Sequence, residues 1–305
     1  METLILRSYR NSDALAVSQL FRKIYGDHYA QPHVYLPRMI SQNQVGGRWH
    51  SLVAVSGDQM LGHASLIRDR ESRIAELALT VVDPQSRGQS IATRLGQQLL
   101  IHAQALGYRG VTIKQMTHHP YTQRMAASLG FQNTGLLPDY APSPFGDSAP
   151  ETLILGYARI DDYQRPLPKL KWPDDYGKFM QKMIDVLGSR DTASPWIGEP
   201  AQLEQRWGRY DSVLEALDEG LLRQLQQLPA HWLISIRLRM TQGFDSAWCK
   251  LSETGFVFTG LAPDEKGEGW LALFHRGFQP KALTLHCPQM QFLHDDMQRR
   301  RLKTP

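Results

Sequence analysis

Residues 82–95 read Val-Asp-Pro-Gln-Ser-Arg-Gly-Gln-Ser-Ile-Ala-Thr-Arg-Leu, which is the end of an apolar run, a turn of small residues and the start of a periodic apolar segment. The pattern predicts a strand, a turn and a helix that begins near Ile91. The first N–H groups of a helix have no partners within it and lie at the positive end of its dipole, so they bind phosphate groups well. Small residues at Gly88, Ser90 and Ala92 let an anion approach the backbone. From this stretch alone, an ordinary strand-to-helix turn without a ligand is the alternative interpretation.

Strand and helix patterns alternate on both sides of the turn. Upstream, the periodicity predicts two helices, ending near Tyr25 and covering about 33–43, and strands at 4–10, 51–56, 60–68 and 74–82. Downstream, it predicts helices at 91–105 and 121–129 and extended segments at 111–115, 131–137 and 151–160. The strands at 51–82 form an antiparallel meander in this interpretation.

The second half of the chain repeats part of the first. At an offset of 125 residues, Gly130-Phe131, Thr134-Gly135-Leu136 and Pro138-Asp139 recur as Gly255-Phe256, Thr259-Gly260-Leu261 and Pro263-Asp264. Strand patterns at 234–240 and 270–274 fall where the first half predicts them. Three prolines between residues 161 and 173 favour an extended connector. We therefore expect a first domain at 1–160, a linker at 161–180 and a degenerate copy at 181–305.

The copy has no counterpart to the turn at 87–92, so a ligand of that turn would be bound once.

Composition excludes several classes of protein. The 305 residues are 42% hydrophobic with a formal charge of +4, and they contain neither a membrane-spanning apolar run nor a signal-peptide pattern. Only two cysteines are present, which favours a reducing compartment, and we expect a cytoplasmic protein without a membrane partner. The dense basic cluster lacks interleaved aromatic residues, so we expect no nucleic-acid partner; it comprises Arg299, Arg300, Arg301 and Lys303.

The stretch at 82–95 resembles the acyl-CoA-binding motif of the GNAT superfamily of N-acyltransferases. Arg87, Ser90 and Ala92 occupy the motif positions, with Ser90 in place of the usual glycine, and Val82 to Pro84 form a typical lead-in. The order of elements from 4 to 160 is also similar, so the resemblance covers about half of the chain. It implies an α/β (α+β) fold with a mixed, mostly antiparallel sheet flanked by helices. The whole chain also resembles bacterial acyltransferases in which a degenerate GNAT-like half follows a GNAT half, which implies a partial C-terminal duplication.

The resemblance assigns a co-substrate, acetyl-CoA or another acyl-CoA. In this family the strand before the motif splays from its neighbour, so backbone groups near Val81 and Val82 would hold the pantetheine arm. The turn and the helix start would hold the pyrophosphate, which implies a set comprising Arg87, Gly88, Gln89, Ser90, Ile91, Ala92 and Thr93.

Candidate catalytic residues follow from the same resemblance. Glu76 lies where many members carry a carboxylate that draws a proton from the amine through water, and it is expected to share a strand face with Ala78, Thr80 and Val82. A solvated or salt-bridged glutamate is the alternative. The tyrosine that often donates to the leaving sulfur is replaced by Ala126. The candidates for the acid are therefore Tyr121 and His119, and a mechanism without a side-chain acid stays open.

His118 and His119 do not suggest a metal site, because no third ligand lies at a suitable spacing. The sequence thus predicts an N-acyltransferase that moves an acetyl or short acyl group from acyl-CoA to the amine of a small molecule by direct attack in a ternary complex. An inactive acyl-CoA sensor or scaffold, and an enzyme that acylates proteins, are the alternatives. A monomer is favoured, because the duplicated half could replace a dimer partner.

Overall fold

The computed structural model describes residues 3–69, 71–191, 203–206, 209–214 and 217–301, so Lys303 and several stretches of the expected second domain lie outside the described residues. The helices are α1 Ala14–Tyr25, α2 Pro37–Val45, α3 Ile91–Ala105, α4 Tyr121–Ser128, α5 Gly177–Leu187, α6 Glu219–Gln227, α7 Phe244–Glu253 and α8 Pro288–Arg301. The strands of the first half are β1 Ile5–Ser8, β2 Trp49–Ser56, β3 Gln59–Arg68, β4 Ile74–Val82, β5 Gly110–Met116, β6 Gln132–Ala141 and β7 Glu151–Arg159. The later strands are β8 Leu167–Pro168, β9 Ser189–Arg190, β10 Leu203–Arg206, β11 Arg209–Leu214, β12 Leu233–Arg239, β13 Val257–Pro263 and β14 Trp270–Arg276.

The helix after the turn illustrates why periodicity predicts these elements well. Ile91, Leu95, Leu99 and Ala103 of α3 are all buried against the sheet, at the spacing of one helical face. Most of the predicted elements of the first half are confirmed to within a few residues, because their apolar faces are built from neighbours in sequence.

One sheet of twelve strands runs through both halves, in the order β1-β2-β3-β4-β5-β7-β6-β13-β14-β12-β11-β10. Two neighbouring pairs, β4 with β5 and β11 with β12, are parallel, and the other pairs are antiparallel. The prediction of a mixed, mostly antiparallel sheet flanked by helices is therefore confirmed.

The second half repeats the connectivity of the first. Strands β10 to β14, with α6 and α7 between them, follow the same order and the same parallel and antiparallel pairings as β3 to β7 with α3 and α4. The two copies meet edge to edge where β6 pairs with β13, and the paired residues are Gly135 and Gly260 of the repeated motif. The recurring Thr-Gly thus lies at the contact between the copies.

The connector between the halves is more structured than the prolines predicted. Helix α5 begins at Gly177, inside the expected linker, and Tyr176, Phe179 and Met180 are buried in the core of the second half. The apolar face of α5 explains the difference, because burying it offsets the entropy of ordering the helix. The division into domains at 160 and 180 stays a proposal, with its second boundary moved upstream of α5.

Candidate functional site

A gap opens between the two parallel strands at the centre of the first half. Strands β4 and β5 pair from Ile74 with Gly110 as far as Leu77 with Ile113. Both strands continue beyond this point, but their remaining residues are not paired with each other in the described part of the sheet. Backbone groups along this gap are therefore available to a ligand.

A bulge in β4 produces the gap. Leu79 has a φ of 53°, which is unusual for a bulky residue, and the register with β3 shifts at this point. The ring nitrogen Nδ1 of His63 lies 2.9 Å from the carbonyl oxygen of Leu79, and since that oxygen can only accept, Nδ1–H donates. Burial lowers the pKa of His63 to about 4, so the ring is neutral at pH 7 and its other nitrogen lacks a partner in the described structure. His63 therefore holds the bulge.

The bulge corrects one expectation about β4. The strict alternation placed Glu76, Ala78 and Val82 on one face, but Ala78 packs against the cluster formed with α1 and α2, whereas Val82 packs against the cluster under α3. The extra residue at Leu79 reverses the alternation, so the two ends of β4 present opposite faces.

The predicted phosphate-binding turn lies at the end of this gap. Gly88 has a φ of 82°, and Ser90 takes the left-handed conformation as N-cap of α3 with no side-chain capping bond. Arg94 is the first residue of the helix start whose N–H donates to a backbone carbonyl, that of Ser90. The amides from Gly88 to Thr93 have no backbone acceptor among the described residues. These six N–H groups lie at the positive end of a 15-residue helix. The turn is solvent-exposed from Arg87 to Ser90, so an anion could reach it.

The corresponding helix start in the second half differs. Asp218 caps α6 by accepting a hydrogen bond of 2.7 Å from the amide of Leu221, and Glu219 follows it. Two acidic side chains at this position disfavour a phosphate. The contrast agrees with the expectation that only the first half holds the ligand.

Glu76 is paired with a lysine that sequence analysis missed. The Nζ atom of Lys114 lies 2.5 Å from Glu76 Oε2, at the point where β4 and β5 separate. Burial alone lowers the pKa of Lys114, but the charge of Glu76 and the neighbouring Tyr140 more than offset this effect, so the pKa is raised and the ammonium persists. Both side chains are about one quarter exposed. In the structure Glu76 thus forms the salt bridge that the sequence analysis gave as the alternative.

The two candidate acids lie side by side at the start of α4. The rings of His119 and Tyr121 are 5.1 Å apart, and Tyr121 is 69% exposed. Burial, and then the charge of His118, lower the pKa of His119, which favours the neutral imidazole. His119 Nδ1 is buried without a partner in the described structure, so it is open to a hydrogen bond from a ligand. The fold does not test whether Tyr121 or His119 is the general acid, so both assignments stay predictions.

Aromatic side chains from three segments of the chain pack against one another, and two of them lie beside Leu79 and Val81 of β4. Phe145, in the loop between β6 and β7, lies 5.6 Å from the ring of Tyr25 at the end of α1 and 5.4 Å from the ring of His118 after β5. Tyr25 in turn packs 5.0 Å from Tyr29. We call Tyr25, Tyr29, Phe145 and His118 the aromatic wall. The loop that carries Phe145 connects β6 with β7, and its contacts join segments far apart in the chain.

Within the described ranges, no group of three or more His, Cys, Asp or Glu side chains is placed to hold a metal ion. In the same part of the chain, no helix is long and apolar enough to cross a membrane. The expectations of no metal and no nucleic acid stay predictions.

Comparisons with known proteins address the same half of the chain. Residues 14–131 match the model of the Acetyltransferase (GNAT) family. No curated protein gives a significant match. Among solved structures, an N-acetyltransferase from Staphylococcus aureus is 20% identical, covers 52% of this chain and 99% of its own, and has a TM-score of 0.45.

Two further structures are similar to the same extent. A phosphinothricin acetyltransferase from Sinorhizobium meliloti, solved with acetyl-CoA, is 18% identical over 52% of this chain and 90% of its own, with a TM-score of 0.45. A variant of spermidine N-acetyltransferase from Vibrio cholerae is 16% identical over 52% of this chain and 95% of its own, with a TM-score of 0.44.

Proposed function

We propose that the chain transfers an acetyl or short acyl group from acyl-CoA to the amine of a small molecule, because residues 14–131 match the model of the Acetyltransferase (GNAT) family. The observation that carries the proposal is the run of six amides from Gly88 to Thr93 that have no backbone acceptor in the described part of the chain, beside the gap between β4 and β5. Such amides suit a pyrophosphate, and an open strand edge suits a pantetheine arm that carries amide groups of its own.

The site residues have separate tasks in this proposal. The amides from Gly88 to Thr93 bind the pyrophosphate, Arg87 adds a charge at the rim, and the backbone of Val81 and Val82 pairs with the extended arm. The thioester then lies in the gap near Glu76 and Lys114. The amine nitrogen forms a bond to the thioester carbonyl carbon, the carbon–sulfur bond breaks, and the amine proton leaves through water to a base.

We assign the base to Glu76, with Lys114 holding the carboxylate in place. The Lys114 ammonium fixes the position of the carboxylate, so Glu76 can accept a hydrogen bond from a water molecule and orient that water towards the amine. The leaving thiolate takes its proton from Tyr121, from His119 or from solvent. Since Tyr121 is exposed and His119 favours the neutral form, a contribution mainly from positioning suits this site.

The aromatic wall favours a small acceptor. The ring of Phe145 packs 5.6 Å from the ring of Tyr25 and 5.4 Å from the ring of His118, so the three form a continuous row of aromatic side chains. An amine with a flat or cationic part can pack on such rings, whereas a folded protein chain would need a wider opening.

Two other attributes belong to the proposal. We propose a monomer, because β13 of the same chain occupies the edge of β6. We propose a cytoplasmic location, because Cys249 and Cys287 are free thiols and Cys249 is exposed.

The decisive experiment is a thermal shift with CoA, acetyl-CoA and longer acyl-CoAs, since a ligand of the native state raises the melting temperature. We expect stabilisation that is lost in Arg87→Ala combined with Ser90→Tyr. Arg73→Ala is the matched control, because Arg73 is an exposed arginine at the other end of β4. No shift in the wild-type protein at saturating ligand would refute the proposal.

Two observations favour the alternative of an inactive acyl-CoA sensor or scaffold. Glu76 is already neutralised by Lys114, and the usual tyrosine is Ala126. Thiol release from acetyl-CoA in the presence of a panel of amines separates the two functions. Binding without release for any amine would support the sensor, whereas release that is lost in Glu76→Gln, with binding retained, would support the enzyme.

A further inference from the structure

Arg209 reaches from the second half of the chain to the candidate site of the first. It is the first residue of β11 and is only 2% exposed. Its guanidinium carbon lies 3.9 Å from the centre of the Tyr140 ring, and one of its N–H groups donates to the carbonyl oxygen of Tyr140. Asp211 accepts from Arg209 Nε with both carboxylate oxygens, at 3.0 and 2.9 Å. The guanidinium is thus fixed on both sides.

Tyr140 connects Arg209 to the acyl-transfer residues. The Nζ atom of Lys114 lies 5.3 Å from the centre of the same ring, and Lys114 holds Glu76 at 2.5 Å. One ring therefore faces two cations, one from each half of the chain. Cation–π attraction depends on the ring's orientation, so a ring fixed by Arg209 gives Lys114 a defined position.

The packing around this contact shows that the second half is a structural neighbour of the site. Leu137, Leu153 and Leu155 of β6 and β7 form one buried cluster with Ala262 and Leu273 of the second half, and Tyr140 packs against its edge. A buried cluster transmits a displacement to its neighbours, because close-packed interiors deform little.

We propose that Arg209 is a positioning residue of the acyl-transfer site, which acts through Tyr140 on the Lys114–Glu76 pair. The inference rests on the proposed function for its catalytic meaning. The inference assigns a function to the second half of the chain. That half supplies Arg209, which orients the Lys114–Glu76 pair of the first half through Tyr140.

The first test needs neither acceptor nor cofactor. The rate at which Lys114 is reductively methylated, measured by peptide mass spectrometry on the full-length protein, reports how firmly its ammonium is held. We expect Arg209→Met and Tyr140→Leu to accelerate the modification, because a Lys114 side chain that loses its ring contact and its pairing with Glu76 is more accessible to the reagent. Tyr140→Phe keeps the ring and should react at the wild-type rate.

Arg239→Met is the matched control. Arg239 is a second largely buried arginine of the same half, paired with Asp264, and 13% exposed. This control distinguishes a specific effect on the methylation of Lys114 from a general loss of stability in the second half. If Arg209→Met does not fold, Tyr140→Leu tests the same contact from the other half and leaves the Arg209–Asp211 pair in place. A wild-type rate at Lys114 in Tyr140→Leu, or an equal acceleration in Arg239→Met, would overturn the inference.

The second test concerns turnover. With an acceptor from the amine screen, we expect Arg209→Met to lower kcat about tenfold or more, with an unchanged KM for acetyl-CoA, since misplacement of a catalytic group by about 1 Å can cost a hundredfold. Arg209→Lys keeps the charge and should recover part of the loss. A wild-type protein that fails to bind acetyl-CoA would refute the proposed function alone, whereas unchanged methylation of Lys114 would refute the role of Arg209 alone.

Discussion

Gly260 of β13 lies so close to Gly135 of β6 that a methyl group on Gly260 would overlap the backbone of Gly135. The reverse contact is also tight, since a Cβ on Gly135 would lie 3.1 Å from the carbonyl oxygen of Thr259. These two glycines join the copies into one sheet. The repeated Thr-Gly is therefore conserved between the halves of this chain by a packing requirement that acts on both copies.

We predict that Gly260→Ala lowers the free energy of unfolding by about 2–3 kcal/mol, because overpacked backbone cannot move aside cheaply. Urea denaturation measures the change. Gly243→Ala is the control: Gly243 has a φ of 82°, also in the positive range, but has open space around it, so it should lose only about 1 kcal/mol. Equal losses in both variants would show that backbone strain, and not the contact between the copies, sets the requirement.

Ser90 offers a test of the proposal that the turn at 87–93 binds phosphate. It adopts the left-handed conformation with a φ of 55°, which glycine tolerates and β-branched residues do not. We predict that Ser90→Gly binds acetyl-CoA within about threefold of the wild-type protein. Ser90→Val should weaken binding at least about tenfold, because its side chain disturbs the turn and crowds the amides. Isothermal titration measures both, and similar affinities in the two variants would argue against an anion at this backbone.

Substitutions of Glu76 and Lys114 should affect the chemical step but not the binding of acetyl-CoA. We predict that Glu76→Gln lowers kcat by about a hundredfold or more, the usual contribution of a positioned base, without changing the affinity for acetyl-CoA. Lys114→Met should have a smaller effect, since it removes the group that holds the carboxylate but leaves the carboxylate. Steady-state kinetics and titration of acetyl-CoA check the prediction; a Glu76→Gln enzyme with wild-type kcat would exclude Glu76 as the base.

His63 should make stability depend on pH. Its pKa is about 4 in the folded protein and 6.5 in the unfolded chain, so the unfolded state binds more protons between these values. Stability is therefore unaffected by this group above about pH 6.5 and decreases as the pH falls. The loss of unfolding free energy reaches on the order of 3 kcal/mol at pH 4.

His63→Gln removes the titrating group and should flatten this part of the stability profile, measured by urea denaturation between pH 7 and pH 4. His33→Gln, which alters an exposed histidine, should leave the slope unchanged. An unaltered slope in His63→Gln would mean that other groups cause the acid destabilisation.

Several features depended only on neighbours in sequence, and these could be predicted. Strand β4 was expected at 74–82 and is observed there, and the helix after the turn begins at Ile91 as expected. Apolar periodicity and turn residues specify such elements locally. The turn at 87–93 was recognised for the same reason, because a strand end, small residues and a helix start follow one another within a few positions.

Other features depend on contacts between residues far apart in the chain. The bulge at Leu79 is held by His63, which lies 16 residues earlier, and it reverses the face that simple alternation assigns to Val82. The pairing of Glu76 with Lys114 spans 38 residues, and that of Tyr140 with Arg209 spans 69. No local pattern marks these partners, since charged and aromatic residues occur along the whole sequence.

The sequence by itself thus predicted the resemblance of the first half to the GNAT superfamily, the position of the turn between β4 and α3, and a repeat in the second half. Only the tertiary structure decided that the copies share one sheet, that Glu76 is ion-paired, and that the second half contacts the candidate site through Arg209. The physical reason is range: hydrogen bonding and apolar periodicity within an element are specified over a few residues, whereas sheet order and side-chain pairing are fixed only when distant segments pack together.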